Sequence, residues 1–422
     1  MFVSRRLPAA IVFVTLAASV HAQGRQGRGG APVQLPEGDG REAVAATCGS
    51  CHGLNSITGS AGYTPDGWRD LIATMVQLPE PQRTTIPRYL AEHFPPKPGR
   101  APTLVKGDVS ITFREWLVPT PGQRPRDPIQ LADGSIWWSG QYGSLLGRLD
   151  PATGEMREYK LAPDVRPHSI VNDASGNIWY TGNGNATIGK LNPATGDIAV
   201  YKMPDPAARD PHTAVFDRSG TLFFTLQQSN MIGRLTPSTG EIRLVTVPTA
   251  RALPYGITVN SQGVVWICYN GSNKLASMDP ATMEIREHAL PDPATRVRRL
   301  AIASDDTVWF VNSALGRFGR LDPKTGDVKE WVSPSGPRSH PYAIEIIDGI
   351  VWYNESAQRP DTLVRFDPKT EKLQSWPIPS GVGIIRHMRK TPDGNLAIHQ
   401  SSSNRIGLVV IGKPAGAPPA NR

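Results

Sequence analysis

LDPATGE at residues 149–155 returns as LNPATGD at 191, LTPSTGE at 235, MDPATME at 278, LDPKTGD at 321 and FDPKTEK at 366. Measured on its proline (151, 193, 237, 280, 323, 368), the steps are 42, 44, 43, 43 and 45 residues. Pro and Asp set the first half of a tight turn, and Gly supplies the left-handed position before the next strand. A repeat of this length, built of short strands joined by such turns, predicts one four-stranded propeller blade per unit.

Each unit carries two further marks. An inner segment reads PHSI at 167, PHTA at 211, PYGI at 254 and PYAI at 341, and an aromatic strand reads IWW, IWY, LFF, VWI, VWF or VWY. Aromatic and β-branched residues suit a pleated surface packed between neighbours. The whole chain of 422 residues, with 41 Gly, 40 Pro and 7% aromatics, has the composition of a turn-rich, mainly β protein.

The ends of the array set the blade count. Its last unit, RHMRKTPDGNLAIHQSSSNRIGLVVIGKP, stops after a third strand, while SITFREWLVP at 110–119 parallels the outer strands GEMREYKLAP and GDVKEWVSP. Six complete turn motifs plus this split unit give seven blades. The first strand then closes the last blade, which leaves no open sheet edge. The expected fold is a seven-bladed β-propeller over 108–412, preceded by a small all-α unit.

That unit lies behind an export leader. Residues 1–22 combine Arg5 and Arg6, an apolar run and Val20-His21-Ala22, which read as a signal peptide. The mature protein is then periplasmic or secreted, with no transmembrane segment after cleavage. A Gly/Pro-rich flexible leader is expected at 23–38, helices within 39–95, a linker at 96–107 and a disordered tail at 413–422. WRDLIATMVQL at 68–78 sets Trp68, Leu71, Ile72, Met75 and Val76 on one helical face, and Pro87 is expected to interrupt a second helix over 81–94. The net charge of +8 comes without a Lys/Arg run. This excludes a nucleic-acid binder and suits an anionic ligand or an acidic partner surface.

Three cysteines are present, and two of them stand in ATCGSCHGLN at 46–55. Such a trio can hold a zinc ion, a redox disulfide or a haem. Zinc needs a second ligand pair, which the chain lacks, and a thioredoxin-like pair needs a βαβ setting. Covalent haem c attachment through Cys48 and Cys51, with His52 on the iron, is the reading that remains. Met75 is the expected sixth ligand. His93, in the last turn before Pro95, is its rival and is expected to cap the helix end.

Residues 39–95 resemble a class I c-type cytochrome in the CGSCH motif, the Trp68/Met75 segment and the closing YLAEHF. The repeats resemble the virginiamycin B lyase (streptogramin lyase) family, whose blades read Pro-His/Tyr-x-Ile, then an aromatic pair, then Ile-Gly-Arg/Lys. Here those are PHSI, IWY and IGK at 167–190 and PHTA, LFF and IGR at 211–234. That second resemblance implies two channel histidines with nearby glutamates and Mg2+ opening a lactone ester by elimination. His168 and His212 match the histidines, and Asp210 stands in one glutamate position. Leu226-Gln227 occupies the other, and Glu355 is the glutamate at a comparable strand end in another blade.

One residue per inner strand should line the channel mouth. Counting two back from the inner apolar position gives Asp127, His168, His212, Tyr255, Arg298, Tyr342 and Arg386, with Arg299, His387 and Arg389 close by. The leading expectation is a monomeric, exported mono-haem cytochrome. It would pass electrons between a periplasmic acceptor and a small anionic or ester-bearing ligand, or an acidic redox partner protein, on the propeller. A Mg2+-dependent lyase with an accessory haem domain is second, and a non-catalytic binding scaffold third.

Overall fold

The computed structural model describes residues 33–50, 54, 57, 63–73, 75–95, 100–381 and 383–412. The stretch expected as an export leader, Cys51, His52 and the expected tail lie outside the described residues. Among the described residues the strands form seven four-stranded antiparallel sheets, six of them from four consecutive strands. The seventh joins Arg389–Lys390, Leu396–Gln400 and Arg405–Ile411 to the early strand Ile111–Leu117. That strand pairs antiparallel with the last one from Ile111↔Ile411 to Leu117↔Arg405, so the split unit closes the ring as the repeats predict.

The blade core follows from one recurring choice. In four blades the third strand carries a glycine opposite the aromatic of the second: Trp138↔Gly147, Tyr180↔Gly189, Phe224↔Gly233 and Phe310↔Gly319. A Cβ on Gly147 or Gly189 would sit 2.0 Å from the Trp138 or Tyr180 ring, and one on Gly233 2.1 Å from Phe224. The large ring therefore lies flat over the neighbouring strand. In the fourth blade a smaller Ile267 faces Ala276, so size is exchanged across the pair.

The turn motif takes the predicted form. Asp150 Oδ1 accepts from the Ala152 N–H (2.8 Å), and the Gly154 N–H closes on the Asp150 carbonyl (2.8 Å). Gly154 has φ +81°, and the same position is left-handed in the two units without glycine, at Met283 (φ +62°) and Glu371 (φ +54°).

Ahead of the propeller lie α1 (Arg41–Gly49), α2 (Pro65–Ala73) and α3 (Gln82–His93). They share an apolar cluster of Val44, Ile57, Trp68, Leu71, Ile72, Ile86, Tyr89 and Leu90, with Leu35 from the stretch expected as leader. Two expectations change here. Pro87 does not interrupt α3; it sits buried inside the helix, where ring burial offsets the lost N–H bond. The helix holding Trp68 ends at Ala73, since the Leu78-Pro79-Glu80-Pro81 stretch cannot carry it on. Met75 stands in a following turn, 37% exposed, its backbone against Gly122 of the propeller. The stretch expected as linker binds the outside of the propeller, with Thr103 N–H on Ser335 Oγ (3.0 Å) and Val105 N–H on Ser375 Oγ (2.9 Å). No helix among the described residues is long and apolar enough to cross a membrane.

Candidate functional site

The inner strands begin at one mouth of the channel, and their pairing fixes which side chains meet there. Pro125↔Gly140 matches Pro167↔Gly182, and Ile129↔Trp137 matches Val171↔Trp179. The slot of His168 is therefore filled in the first blade by Arg126, one residue before the Asp127 that counting back from Ile129 selects. Pro128 holds the apolar place that Ile170 holds in the next blade, which shifted the count. The matching Pro-x pattern of PRDP and PHSI is the signal that identifies Arg126.

The corrected ring is Arg126, His168, His212, Tyr255, Arg298, Tyr342 and Arg386, and it is continuous. Arg126 Nη1 lies 2.9 Å from His168 Nε2. The His168 and His212 rings stand 3.7 Å apart, and His212 and Tyr255 4.2 Å. The Tyr255 and Tyr342 hydroxyls meet at 2.5 Å, and Arg298 covers the Tyr342 ring at 4.7 Å with Arg386 at 6.0 Å. Arg126, the two histidines and the two tyrosines are buried, whereas Arg298 and Arg386 are half-buried and reach the mouth. Two cavities of about 240 and 140 Å3 lie at the other end of the channel, around Asp217 and Ile302 and around Glu345 and Arg389.

One tier deeper, Asp127 is the hub of a buried polar lock. His387 Nδ1 lies 3.1 Å from Asp127 Oδ2, and Arg299 Nη2 lies 3.7 Å from Oδ1. Arg299 also donates to Thr213 Oγ1 (3.0 Å) and to the Arg386 carbonyl (3.1 Å). Burial alone would raise the Asp127 carboxyl, but His387 and Arg299 outweigh it and hold it well below the usual carboxylate range.

Electrostatics divide the ring into two arcs. Burial, then neighbouring His212 and Arg126, push His168 well below its ordinary pKa; burial, Arg299 and Arg126 do the same to His212. Both are neutral acceptors near pH 7. Tyr342 is brought down to about 8, because Arg298, Arg386 and Arg126 outweigh the effect of burial, while burial and Tyr342 itself push Tyr255 up. Arg126 Nε, Arg386 Nη1 and His168 Nδ1 have no hydrogen-bond partner among the described residues.

The acids expected near this mouth are engaged elsewhere. Asp210 accepts from Asn183 Nδ2 and from the Gln228 N–H (3.2 Å), and burial raises it to about 6. Glu355 is fully buried and accepts from Ser333 Oγ (2.7 Å), Ser335 N–H (2.8 Å) and Thr362 Oγ1 (2.8 Å), so it anchors a loop. Among the described residues no three His, Cys, Asp or Glu side chains converge as a metal site would require. Arg126 Nη1 already occupies His168 Nε2 and sets a cation beside the histidine pair. The residues of this mouth do not fit Mg2+.

Of the residues expected to hold a haem, Cys48 lies in the last turn of α1, half-buried beside the shared apolar cluster. Trp68 is 3% exposed, and its Nε1–H has no acceptor among the described residues. An unpaired donor in that cluster fits a neighbour with acceptor oxygens, which haem propionates supply. His93 stacks on Tyr89 at 4.4 Å, a packing role.

The sequence profile of the virginiamycin B lyase family matches residues 105–357 and 255–413. No curated protein matches the chain. Among solved structures, selenomethionine-substituted virginiamycin B lyase from Staphylococcus aureus shares 22% identity at a TM-score of 0.65, over 71% of this chain and 99% of its own. A streptogramin B lyase shares 24% at a TM-score of 0.65, over 72% and 98%. A catalytically inactive variant of the Staphylococcus aureus enzyme with quinupristin shares 21% at a TM-score of 0.65, over 71% and 99%. These identities establish the fold, and the profile match spans well over half of the chain. The chain belongs to the virginiamycin B lyase family.

Proposed function

We propose that this protein is an exported haem c protein whose propeller holds a small anionic or ester-bearing ligand over the ring, or docks an acidic redox partner on the same face. It exchanges electrons between that ligand or partner and a periplasmic acceptor. The observation that carries the ligand half is the ring itself: three guanidiniums and two neutral histidines at one mouth, with no carboxylate in the ring. Arg126 is buried against a neutral histidine and Arg298 and Arg386 reach the mouth half-buried, an arrangement that draws in an anion.

Cys48 and Cys51 would hold the haem by thioethers, with His52 and Met75 as the residues to ligate its iron. When bound, that group supplies one-electron storage. The chain's own residues then do the selecting: Trp68 offers a buried donor, and Arg298 and Arg386 offer charge at the mouth. Protein expressed in a periplasm with haem-attachment machinery should show a thioether-haem absorption spectrum that Cys48→Ala/Cys51→Ala removes. Absence of that spectrum in the parent protein sinks the electron-transfer reading.

A second reading is supported by the family and the His168/His212 pair: elimination across an ester bond without Mg2+. In it a neutral histidine accepts the proton, and the leaving carboxylate departs toward Arg298 and Arg386. Asp210, at about 6, and Tyr342, at about 8, are the groups able to exchange protons near neutrality. Quinupristin incubated with the protein and excess chelator discriminates the readings. Ring opening that is lost in His212→Ala but kept in Cys48→Ala/Cys51→Ala would put the lyase reading first.

A further inference from the structure

Around the ring the seven positions are not mixed. His168, His212 and Tyr255 form an arc of rings tilted against one another, with centroid spacings of 3.7 and 4.2 Å. Arg298, Arg386 and Arg126 form the other arc, around the Tyr342 hydroxyl, with Arg298 Nη1 3.5 Å from that oxygen. Two buried donors on the basic arc, Arg126 Nε and Arg386 Nη1, have no acceptor among the described residues. Asp361, the acid that acts on Arg386, is tied to Arg359 at 3.1 Å, and burial holds its carboxyl well above the usual range against Arg359 and Arg386. It does not neutralise the arc.

We propose that the ring recognises a carboxylate carried on a flat aromatic body, with the guanidiniums of Arg298, Arg386 and Arg126 and the Tyr342 hydroxyl on the carboxylate, and the His212 and Tyr255 rings against the body. This rests on the ligand-binding reading of the ring and narrows it. A guanidinium fork matches the two oxygens of a carboxylate. Inorganic phosphate would satisfy the forks but leave the aromatic arc unused. A neutral ester would use the rings and leave three charges unanswered.

The same geometry gives the site a distinguishing signature. Tyr342 is faced by Tyr255, Arg298, Arg386, Arg126 and Arg124, with His340 at 5.7 Å on its own blade. His340 is pushed down to about 4 by burial and Arg298, so it stays neutral in the relevant range. As pH rises through about 8, Tyr342 becomes an internal anion for the same guanidiniums. A ligand carboxylate then competes with it, and affinity falls.

The test is calorimetric titration of the full chain with benzoate, cyclohexanecarboxylate, methyl benzoate and inorganic phosphate at pH 7 and at pH 9.5. Benzoate should bind at pH 7, cyclohexanecarboxylate about tenfold more weakly, and methyl benzoate and phosphate weakest. Benzoate affinity should drop by about tenfold or more at pH 9.5, and Tyr342→Phe should abolish that drop. Arg298→Gln should lower benzoate affinity by about tenfold, with Arg298→Lys intermediate and circular dichroism unchanged in both. Methyl benzoate binding as tightly as benzoate, or phosphate binding more tightly, overturns the carboxylate and leaves a ligand-binding ring. Silence from all four probes overturns the inference and the ring's ligand-binding role together, while the haem spectrum stands apart from either result.

Discussion

Besides the half-buried His288, five histidines, His168, His212, His340, His387 and His399, are held below their ordinary pKa, with burial the largest cause in each. The unfolded chain takes up these protons below about pH 6.5, and the folded chain does not. Stability should therefore fall as pH drops, by about 1.4 kcal/mol per pH unit for each histidine still neutral in the fold. The loss stops at about 4 for His340 and about 3 for His387. Urea midpoints should decline steeply from pH 6.5 to 4, and a flat profile there would contradict the buried, neutral assignment. Tyr342 acts in the opposite range: with its folded pKa lowered to about 8, its contribution appears as pH rises from there toward about 10. The Asp127 lock makes a separate prediction. Asp127→Asn strands the Arg299 guanidinium, 2% exposed, without its counter-ion and should cost about 3–5 kcal/mol. Adding Arg299→Met should recover much of that loss in urea unfolding, because the unpaired charge leaves with it. His168, His212, Tyr255, Arg298, Tyr342 and Arg386 were legible as ring residues, since each sits at a fixed offset in its repeat. Arg126 was not, because Pro128 disguised the apolar position from which that offset is counted.

At the scale of the element, the turn shows how strictly backbone geometry was written in the sequence. Gly196 has φ +83°, and a Cβ there would meet nothing within 4 Å. Gly196→Ala therefore isolates the cost of the left-handed conformation and should destabilise by about 1–2 kcal/mol. Glu371→Gly should change stability in the opposite direction. It relieves the same strain at φ +54° and gives up a solvent-screened ion pair with Lys329 at 2.5 Å and a contact with the Trp331 side chain. Differential scanning calorimetry of the two variants checks both signs. The helical unit was less legible for a physical reason. The heptad-like spacing from Trp68 to Val76 does reach Ile72 and Leu71 in the apolar cluster, but the proline-rich stretch beyond ends α2 at Ala73. Periodicity alone counts apolar faces and is blind to where a chain must turn. In α3 the error ran the other way, because a buried proline ring contributes packing that the lost N–H bond does not cancel.

For the whole molecule, the decisive contact joins the two ends of the array. Ile111 and Phe113 of the closing strand pack on Leu396, Ile398 and Val409, and Trp116 packs beside Ile406 and Leu408. Until that strand docks, the last blade has an unpaired edge from Arg405 to Ile411 and an uncovered apolar face. The propeller's cooperativity should thus depend on residues 111–117 and not on the helices before them. A chain starting at residue 100 keeps the closing strand and the bonds of Thr103 and Val105 to the sixth-blade region, so its melting temperature should lie within a few degrees of the parent. A chain starting at residue 119 loses every pair of that ladder and should melt broadly, at lower temperature, and associate through its free edge. A synthetic peptide spanning 110–119 should restore a single sharp transition to the shorter chain, because the edge it covers is otherwise intact. Calorimetry and size-exclusion chromatography of the three preparations read the outcome directly. If the chain starting at 119 melts as sharply as the parent, closure by the early strand is not what holds the ring, and the seven blades must cohere through their inner strands alone. That alternative has a structural counterpart in the Asp127 lock, which ties the first, third, fifth and seventh blades across the channel through Thr213, Arg299 and His387. Combining Asp127→Asn with the short chain separates the two: additive losses mark independent clasps, and a loss larger than the sum marks a ring in which each clasp holds only while the other does.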